Sequence, residues 1–334
     1  MGETELSAQD LKLLKLLREH GQSPCSGAHI GQMLEVSRAA VWKRVERLRQ
    51  AGYGIEALHR RGYRLLQEPD FPSMERLQPH LTDQALFNGA CAHFYEQTDS
   101  TNVRASLLAR EGAPEGTLCC ADAQRGGRGR MQRVWESPAG ENLYFSLVLR
   151  PHILPTDAAQ ITLLAGLALA QALHEDMGVE DLYLKWPNDI LVGGRKVAGI
   201  LTEMMAEPDR VRYIILGVGI NVNGRLHSMP TELQQTATTL RECVGTSLDR
   251  SRLLAVFLER LGFWYRQFLQ EGFEPLRQPW LSYGGVEGRR VRVQLYAETF
   301  TGVAHSLNHS GCLLVERDDT GVLTTVVAGD VNLL

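Results

Sequence analysis

Residues 124–135 read Gln124-Arg125-Gly126-Gly127-Arg128-Gly129-Arg130-Met131-Gln132-Arg133-Val134-Trp135, and no packed element can be made of them. Glycine adds no side-chain area to a core, and neighbouring guanidinium groups are almost never buried together. Strand-like Thr117–Ala121 precedes this stretch and strand-like Leu143–Leu149 follows it. The chain must therefore fold into a sheet-bearing domain that carries a cationic loop on its rim. Glycines let such a backbone approach a ligand closely, and guanidinium forks match carboxylates and phosphates. Trp135 can cover a flat base or ring. A flexible surface loop and a Gly-Arg tract of RNA-binding type fit the same stretch taken alone. A Walker P-loop does not, because Gly-x-x-x-x-Gly-Lys-Ser/Thr is absent.

Three further segments lie around this loop. Asp99-Ser100-Thr101-Asn102 follows the strand-like His93–Thr98 and precedes a helix expected over Val103–Glu111. Hydroxyl and amide side chains at a strand–helix junction can orient a polar ligand, and ordinary N-capping uses the same residues. Lys185-Trp186-Pro187-Asn188-Asp189-Ile190 follows the alternating Asp181–Leu184 and turns at Gly193-Gly194 into Lys196–Glu203. A lysine fixed at a strand end can neutralise a carboxylate or the phosphate that it attacks. Gly217-Val218-Gly219-Ile220-Asn221-Val222-Asn223 closes the strand-like Val211–Leu216, and its glycines point to close backbone packing.

The first 66 residues form a different pattern. Ser7 stands at an N-cap position before the apolar stripe Leu11, Leu14, Leu17, and Gly21 ends the run. A short helix follows Ser26. Ser37 then caps a third, over Arg38–Gln50, whose buried stripe is Val41, Val45 and Leu48. Tyr53–Leu58 and Tyr63–Leu66 make a hairpin with Arg60 and Arg61 at its tip. Net charge is −4 overall. Between Arg38 and Arg64, however, eight basic residues face only Glu46 and Glu56, a local excess of about +6. This is a helix-turn-helix with a basic wing, and Arg38, Lys43, Arg44, Arg47, Arg60 and Arg61 are the candidate DNA contacts. A solvated basic face or a protein-docking helix is the alternative. The prolines at 69 and 72 open a linker expected over residues 67–92, ending in a short helix.

At 44% hydrophobic and 22% charged, the chain can bury a core in two or three domains. The polar, acidic N-terminal residues 1–10 lack a signal-peptide layout. The longest apolar stretch, Ile161–Leu173, contains Thr162 and Gln171 and suits a buried helix rather than a membrane span. Cys25, Cys91, Cys119, Cys120, Cys243 and Cys312 have neither Cys-x-x-Cys nor zinc-finger spacing, so a cytoplasmic protein with no metal site is expected.

Taken together and in this order, the segments resemble the biotin–protein ligase family. The Gly-Arg-Gly-Arg…Trp loop and Lys-Trp-Pro-Asn-Asp are its most specific marks. The likeness runs from Asp99 onward, and Val36-Ser37-Arg38-Ala39-Ala40-Val41-Trp42-Lys43 extends it to the bifunctional form, ligase plus biotin operon repressor. The resemblance implies an α+β multidomain fold: a winged helix (1–66), a linker (67–92), a mixed α/β domain of biotin/lipoate-ligase type (93–280) and an SH3-like β-barrel (281–334). Strands over Arg290–Tyr296, Phe300–Ser306, Cys312–Glu316 and Thr324–Val327 would build the barrel, with Gly329-Asp330-Val331 as its closing turn.

It implies a two-step reaction. Biotin's carboxylate attacks the α-phosphate of Mg-ATP to give biotinyl-5′-AMP, and a carrier-protein lysine then takes the biotinyl group and releases AMP. By the same carry-over, Ser100, Thr101, Asn102, Gln124, Arg128, Gly129, Arg130 and Lys185 hold biotin, with Lys185, Arg128 and Arg130 catalytic. Arg133, Trp135, Asn188 and Asn221 contact ATP. The carrier is the biotin carboxyl carrier protein of acetyl-CoA carboxylase, the other partner is operator DNA, and the adenylate acts as corepressor by promoting homodimerisation. The loop is expected to order when the adenylate binds. Relatives often have glycine two residues after the loop's second arginine, where this chain has Gln132. The alternatives are a lipoate or octanoate ligase, a ligand sensor whose ligase site has decayed, and a ligase whose winged helix is only structural or dimerising.

Overall fold

The computed structural model describes residues 7–50, 52–68, 70–87, 89–295 and 297–334. Residues 1–6 of the expected first domain, Pro69 of the expected linker and Tyr296 of the expected first barrel strand lie outside them. The chain divides into two compact units, Met1–Asp70 and Phe71–Leu334.

In the first unit α1 (Ala8–Glu19) starts from a capping box, in which Ser7 accepts from the Asp10 N–H and the Asp10 carboxylate accepts from the Ser7 N–H. Ser26 caps α2 (Gly27–Met33), and Ser37 Oγ accepts from the Ala40 N–H at the start of α3 (Arg38–Gln50). Leu13, Leu14, Leu17, Ile30, Val41, Val45 and Leu48 interlock beneath them at 1% exposure or less. The wing is the antiparallel pair β1 (Gly54–Leu58) and β2 (Gly62–Gln67). This is the expected helix, helix, turn, helix, hairpin order.

The second unit corrects the expected linker. Residues from Phe71 onward belong to it: α4 (Met74–Leu77) buries Leu77 completely, and the Leu86 N–H donates to the Leu258 carbonyl. Its centre is a seven-stranded sheet. In chain order the strands are β3 (Ala92–Thr98), β4 (Leu118–Gln124), β5 (Leu143–Leu149), β6 (Leu182–Lys185), β7 (Asp189–Val192), β8 (Arg195–Glu207) and β9 (Arg210–Ile220). Spatially they run β3-β4-β5-β9-β8-β7-β6. Only β3 and β4 are parallel, joined by the crossover helix α5 (Thr101–Arg110).

The period-two alternation of strand side chains divides the faces. Leu118, Cys120, Phe145, Leu147, Ile214, Leu216, Val218 and Ile220 pack against α6 (Ala158–Gln171), α9 (Arg250–Glu271) and α10 (Glu274–Gly284). Two shorter helices, α7 (Thr231–Gln234) and α8 (Leu240–Val244), lie between β9 and α9 in the chain. On the other face Cys119, Val148, Tyr213 and Ile215 pack under α5. That helix covers β4, β5 and the Tyr213–Ile215 part of β9, so the later residues of β9 with β8 and β7 are left open as a cleft floor. The stretch Pro155–Asp176 is long and apolar enough to cross a membrane, but 72% of its apolar window is buried in the protein, as a core helix requires.

A five-stranded antiparallel sheet completes this unit, ordered β13-β12-β11-β10-β14 and consistent with an SH3-like barrel. Its strands are β10 (Arg290–Gln294), β11 (Thr299–Leu307), β12 (Leu313–Arg317), β13 (Leu323–Val326) and β14 (Asp330–Leu333). The expected closing turn at Gly329-Asp330-Val331 is thus the entry to a fifth strand, which pairs Val293 with Val331.

Candidate functional site

The open half of the sheet floors a cleft of about 1140 Å³. Residues 199, 217 and 219 share this face because their neighbours Ala198, Ile200, Leu216 and Val218 are committed to the opposite core. All three are glycines, and each makes room for a particular side chain. A Cβ on Gly217 would stand 2.0 Å from Asn102 Oδ1, one on Gly219 would stand 2.6 Å from the Trp135 ring, and one on Gly199 would stand 3.0 Å from the same ring.

At one end of the cleft the chain gathers neutral polar groups. Gln124 Oε1 accepts from the Thr101 N–H at 2.8 Å, while Gln124 Nε2 donates to Ser137 Oγ at 3.0 Å. Ser146 Oγ lies 2.8 Å from Thr101 Oγ1 and 2.6 Å from Asn102 Oδ1, and Asn102 Nδ2 donates to Glu203 Oε2 at 2.7 Å. Ser100, Thr101 and Asn102 are buried. Thr101, Asn102 and Gln124 can receive the donors and acceptors of a small polar head, with the Glu203 carboxylate held by Asn102.

The glycine–arginine loop covers the cleft as a short hairpin. The Gly126 N–H donates to the Asp99 carbonyl, the Trp135 N–H donates to the Gly127 carbonyl, and Arg128 bridges Val134. Met131 and Gln132 adopt positive φ of 55° and 59°. The left-handed region favours glycine, which gives a physical reason for the glycine that relatives carry where this chain has Gln132.

The loop's arginines and the strand lysines meet at the other end of the cleft. Arg130 donates to Asn188 Oδ1 at 3.0 Å and to the Gly329 carbonyl at 3.1 Å, and Arg133 pairs with Asp330 at 2.6 Å. Lys185 Nζ donates to Asn332 Oδ1 at 2.6 Å. Lys196 pairs with Asp189 at 2.7 Å and stands 5.2 Å from the centre of the Trp135 ring. Burial pushes the Lys185 ammonium below the ordinary lysine range, Asp189 and Asp330 oppose that, and Lys196 and Arg133 add to it. The end strand β14 therefore supplies one cleft residue, Asp330, and a partner for a second, Asn332 against Lys185.

Ser100, Thr101, Asn102, Gln124, Arg128, Gly129, Arg130, Arg133, Trp135, Lys185, Asn188 and Asn221 all line this single cleft. Two of them also brace the fold. Asn221 Nδ2 donates to the Thr238 carbonyl and Asn188 Nδ2 to the Ile200 carbonyl, so each holds a strand end while facing the cavity. Sequence reasoning passed over Ser137, Ser146, Asp189, Lys196, Glu203 and Asn332 as site residues. The alternation of β8 and β9 around Gly199, Gly217 and Gly219 was the signal that could have found Glu203.

On the winged helix, Arg38 and Lys43 are exposed on α3, and Arg60 and Arg61 are exposed at the wing tip. Arg44 and Arg47 are engaged within the unit, each pairing at 2.9 Å with Asp10, which is fully buried. Arg44 also donates to Ser7 and Gln9. These pairs clamp α3 to α1 through two of the candidate DNA contacts, and the Arg47 side chain stays 43% exposed. Trp42, 55% exposed beside Lys43, joins the outward face of α3.

Residues 94–221 match the profile of the biotin/lipoate A/B protein ligase family, and residues 10–64 match that of an HTH domain. The chain is 39% identical over 321 residues to the bifunctional ligase/repressor BirA of Bacillus subtilis, covering 96% of this chain and 97% of that one. It is 34% identical over 221 residues to the biotin–[acetyl-CoA-carboxylase] ligase of Paracoccus denitrificans, covering 66% of this chain and 91% of that one. Among solved structures, biotin protein ligase from Aquifex aeolicus in complex with biotin and ATP superposes with a TM-score of 0.63 at 31% identity, covering 73% of this chain and 98% of that one.

Proposed function

Since the chain belongs to the biotin protein ligase family, in its bifunctional ligase/repressor form, we propose that its cleft joins biotin to ATP and that its winged helix couples the product to transcription. The enzyme is an ATP-dependent biotin–protein ligase and a DNA-binding repressor. The observation that carries this reading is one cleft with two chemically distinct ends: a polar wall of Thr101, Asn102 and Gln124, and a cationic end of Lys185, Arg130 and Arg133, with the Trp135 ring over the glycine floor.

The polar wall suits biotin's ureido group, which has both donors and acceptors and no charge. From there the valeryl chain would carry the carboxylate toward Lys185. Joining a carboxylate to an amine is uphill in water, so the carboxylate must first be converted to an acyl phosphate derivative. Its oxygen attacks the α-phosphorus, the bond to the β-phosphate oxygen breaks, and pyrophosphate leaves. A carrier lysine amine then attacks the acyl carbon, loses a proton and expels AMP. Negative charge passes between oxygens in both steps, which calls for fixed cations rather than a covalent nucleophile.

Lys185 would bridge the two anions. Arg128, Arg130 and Arg133 ride on the loop and would trade the protein's own acceptors, Gln132, Asn188 and Asp330, for phosphate oxygens. Trp135, held between glycine floor and loop, would cover the adenine. Magnesium would arrive on the nucleotide's phosphates, and Asp189 and Asp330, the carboxylates beside Lys196 and Arg133, would offer it oxygen. The carrier is the biotin-accepting domain of acetyl-CoA carboxylase, and the setting is the cytoplasm.

Ordering of the loop by biotinyl-5′-AMP would favour homodimers that span two operator half-sites. Incubation with biotin, ATP, magnesium and a purified carrier domain should add one biotinyl group to a single lysine, read by mass spectrometry, with lipoate giving none. Lipoylation in place of biotinylation would overturn the assignment. Sedimentation that finds only monomer with the adenylate present, at concentrations where operator is bound, would remove the dimer step.

A further inference from the structure

Away from the cleft, His20, Cys25 and His29 converge in the winged-helix unit, their ligand atoms all within 4.8 Å of one another. Three pieces of chain supply them: His20 caps the end of α1, Cys25 lies on the stretch that bridges to the wing, and His29 is in the first turns of α2. The cysteine is held firmly. Its N–H and carbonyl exchange hydrogen bonds of 2.8 and 2.9 Å with Tyr63, and a Cβ on Gly62 would meet its carbonyl oxygen at 2.0 Å. His29 is anchored through its N–H, which donates to Ser26 Oγ at 3.1 Å.

The imidazole of His20 is already oriented. Its Nδ1 stands 2.8 Å from the Leu16 carbonyl, an acceptor, so Nδ1 is the donor there and Nε2 is the ring nitrogen left to face a ligand. Metal-bound histidines are fixed in this way, with the second ring nitrogen donating to a carbonyl. The two imidazole centroids are 5.6 Å apart and tilted by 57°, which leaves both rings able to turn a nitrogen toward the sulfur. One thiol and two imidazoles are a borderline-soft donor set that suits zinc and its neighbours and not magnesium or calcium. Tetrahedral bonds of about 2.0–2.3 Å put ligand atoms roughly 3.3–3.8 Å apart, so the triad needs to contract by about one ångström. Exposed His29 can supply that by rotation. Burial pushes the Cys25 thiol up, and a bound cation reverses this by stabilising the thiolate.

We propose that the winged-helix unit binds one transition-metal ion of zinc type through His20, Cys25 and His29, with solvent in the fourth position. The ion staples the end of α1, the start of α2 and the wing. The spacing His-x4-Cys-x3-His matches no zinc-finger pattern, so only the fold reveals the set.

The test uses the tag-free full chain, stripped with chelator and titrated with cobalt(II) as the probe. One equivalent should produce tetrahedral visible bands and a near-ultraviolet thiolate-to-cobalt charge-transfer band, both abolished by excess zinc. Cys25→Ser should remove the charge-transfer band, and Cys243→Ser should leave it intact. His29→Ala, a change at an exposed position, should weaken cobalt binding at least about tenfold, as loss of one of three ligands requires. A titration with no thiolate band, a band that survives Cys25→Ser, or an affinity left within about twofold by His29→Ala overturns the proposal.

Discussion

Replacing Asp10 by asparagine isolates the clamp that holds the winged helix together. The Asp10 side chain is fully buried. Burial alone would raise its pKa, but hydrogen bonds from the Ser7 hydroxyl and N–H and from Arg44 and Arg47 outweigh it and hold the carboxyl at about 2, against an ordinary 3.8. A depression of that size corresponds to about 2.4 kcal/mol at neutral pH. The Arg47 partner is 43% exposed, so water screens part of its share, and the working range is about 1–2.5 kcal/mol.

For a domain of this size that lowers the melting temperature by about 5–15 °C. Because the folded-state pKa is depressed, the contribution is complete above about pH 4 and is lost as pH falls through about 2. Scanning calorimetry of the full chain at pH 7 should show the winged-helix transition moved down and the ligase transition unmoved. The gap between Asp10→Asn and the unaltered protein should narrow as the scans are taken from pH 5 toward pH 3. A shift below about 0.5 kcal/mol, or a gap independent of pH, would refute the reasoning about the clamp.

Two further outcomes follow from the same geometry. Gly219→Ala places a methyl group 2.6 Å from the Trp135 ring. The ring must withdraw by about one ångström, so KM for ATP should rise at least about tenfold with little change in melting temperature, as steady-state kinetics and calorimetry can check. Arg60→Ala with Arg61→Ala removes the two exposed cations at the wing tip, so the slope of log binding constant against log salt for operator DNA should fall by about 2, whereas Arg44→Ala should act first on stability.

Much of the fold was legible because local signals and tertiary structure agree. Ser7, Ser26 and Ser37 cap the three helices of the first unit, and the paired runs around Arg60-Arg61-Gly62 become the wing. The loop and the Lys185 strand were legible as chemistry because glycines and arginines so arranged have no use in a core. Misreadings arose where a residue's partner is distant in sequence. Residues 71–91 looked like a linker because the apolar positions Leu77 and Leu86 find their surface on α9, more than 170 residues away. The pairing of Arg44 with Asp10 was not legible because Asp10 lies on another helix. Asp330 was legible only as part of a closing turn, and the pairing of β14 with β10 brings it to the cleft and Asn332 to Lys185.

The central claim is that Lys185 and the loop arginines form the charge-bearing end of a biotin-adenylating cleft. It is tested most directly by pyrophosphate release from the purified full chain with ATP, magnesium and biotin, beside a Lys185→Ala variant of verified fold. Loss of one fixed cation at oxygens that gain charge should lower the biotin-dependent rate by about 10²–10³-fold, with no release when lipoate replaces biotin. Release that persists in the variant within about threefold of the unaltered rate would contradict the account, as would an absence of biotin-dependent release from the folded, unaltered protein.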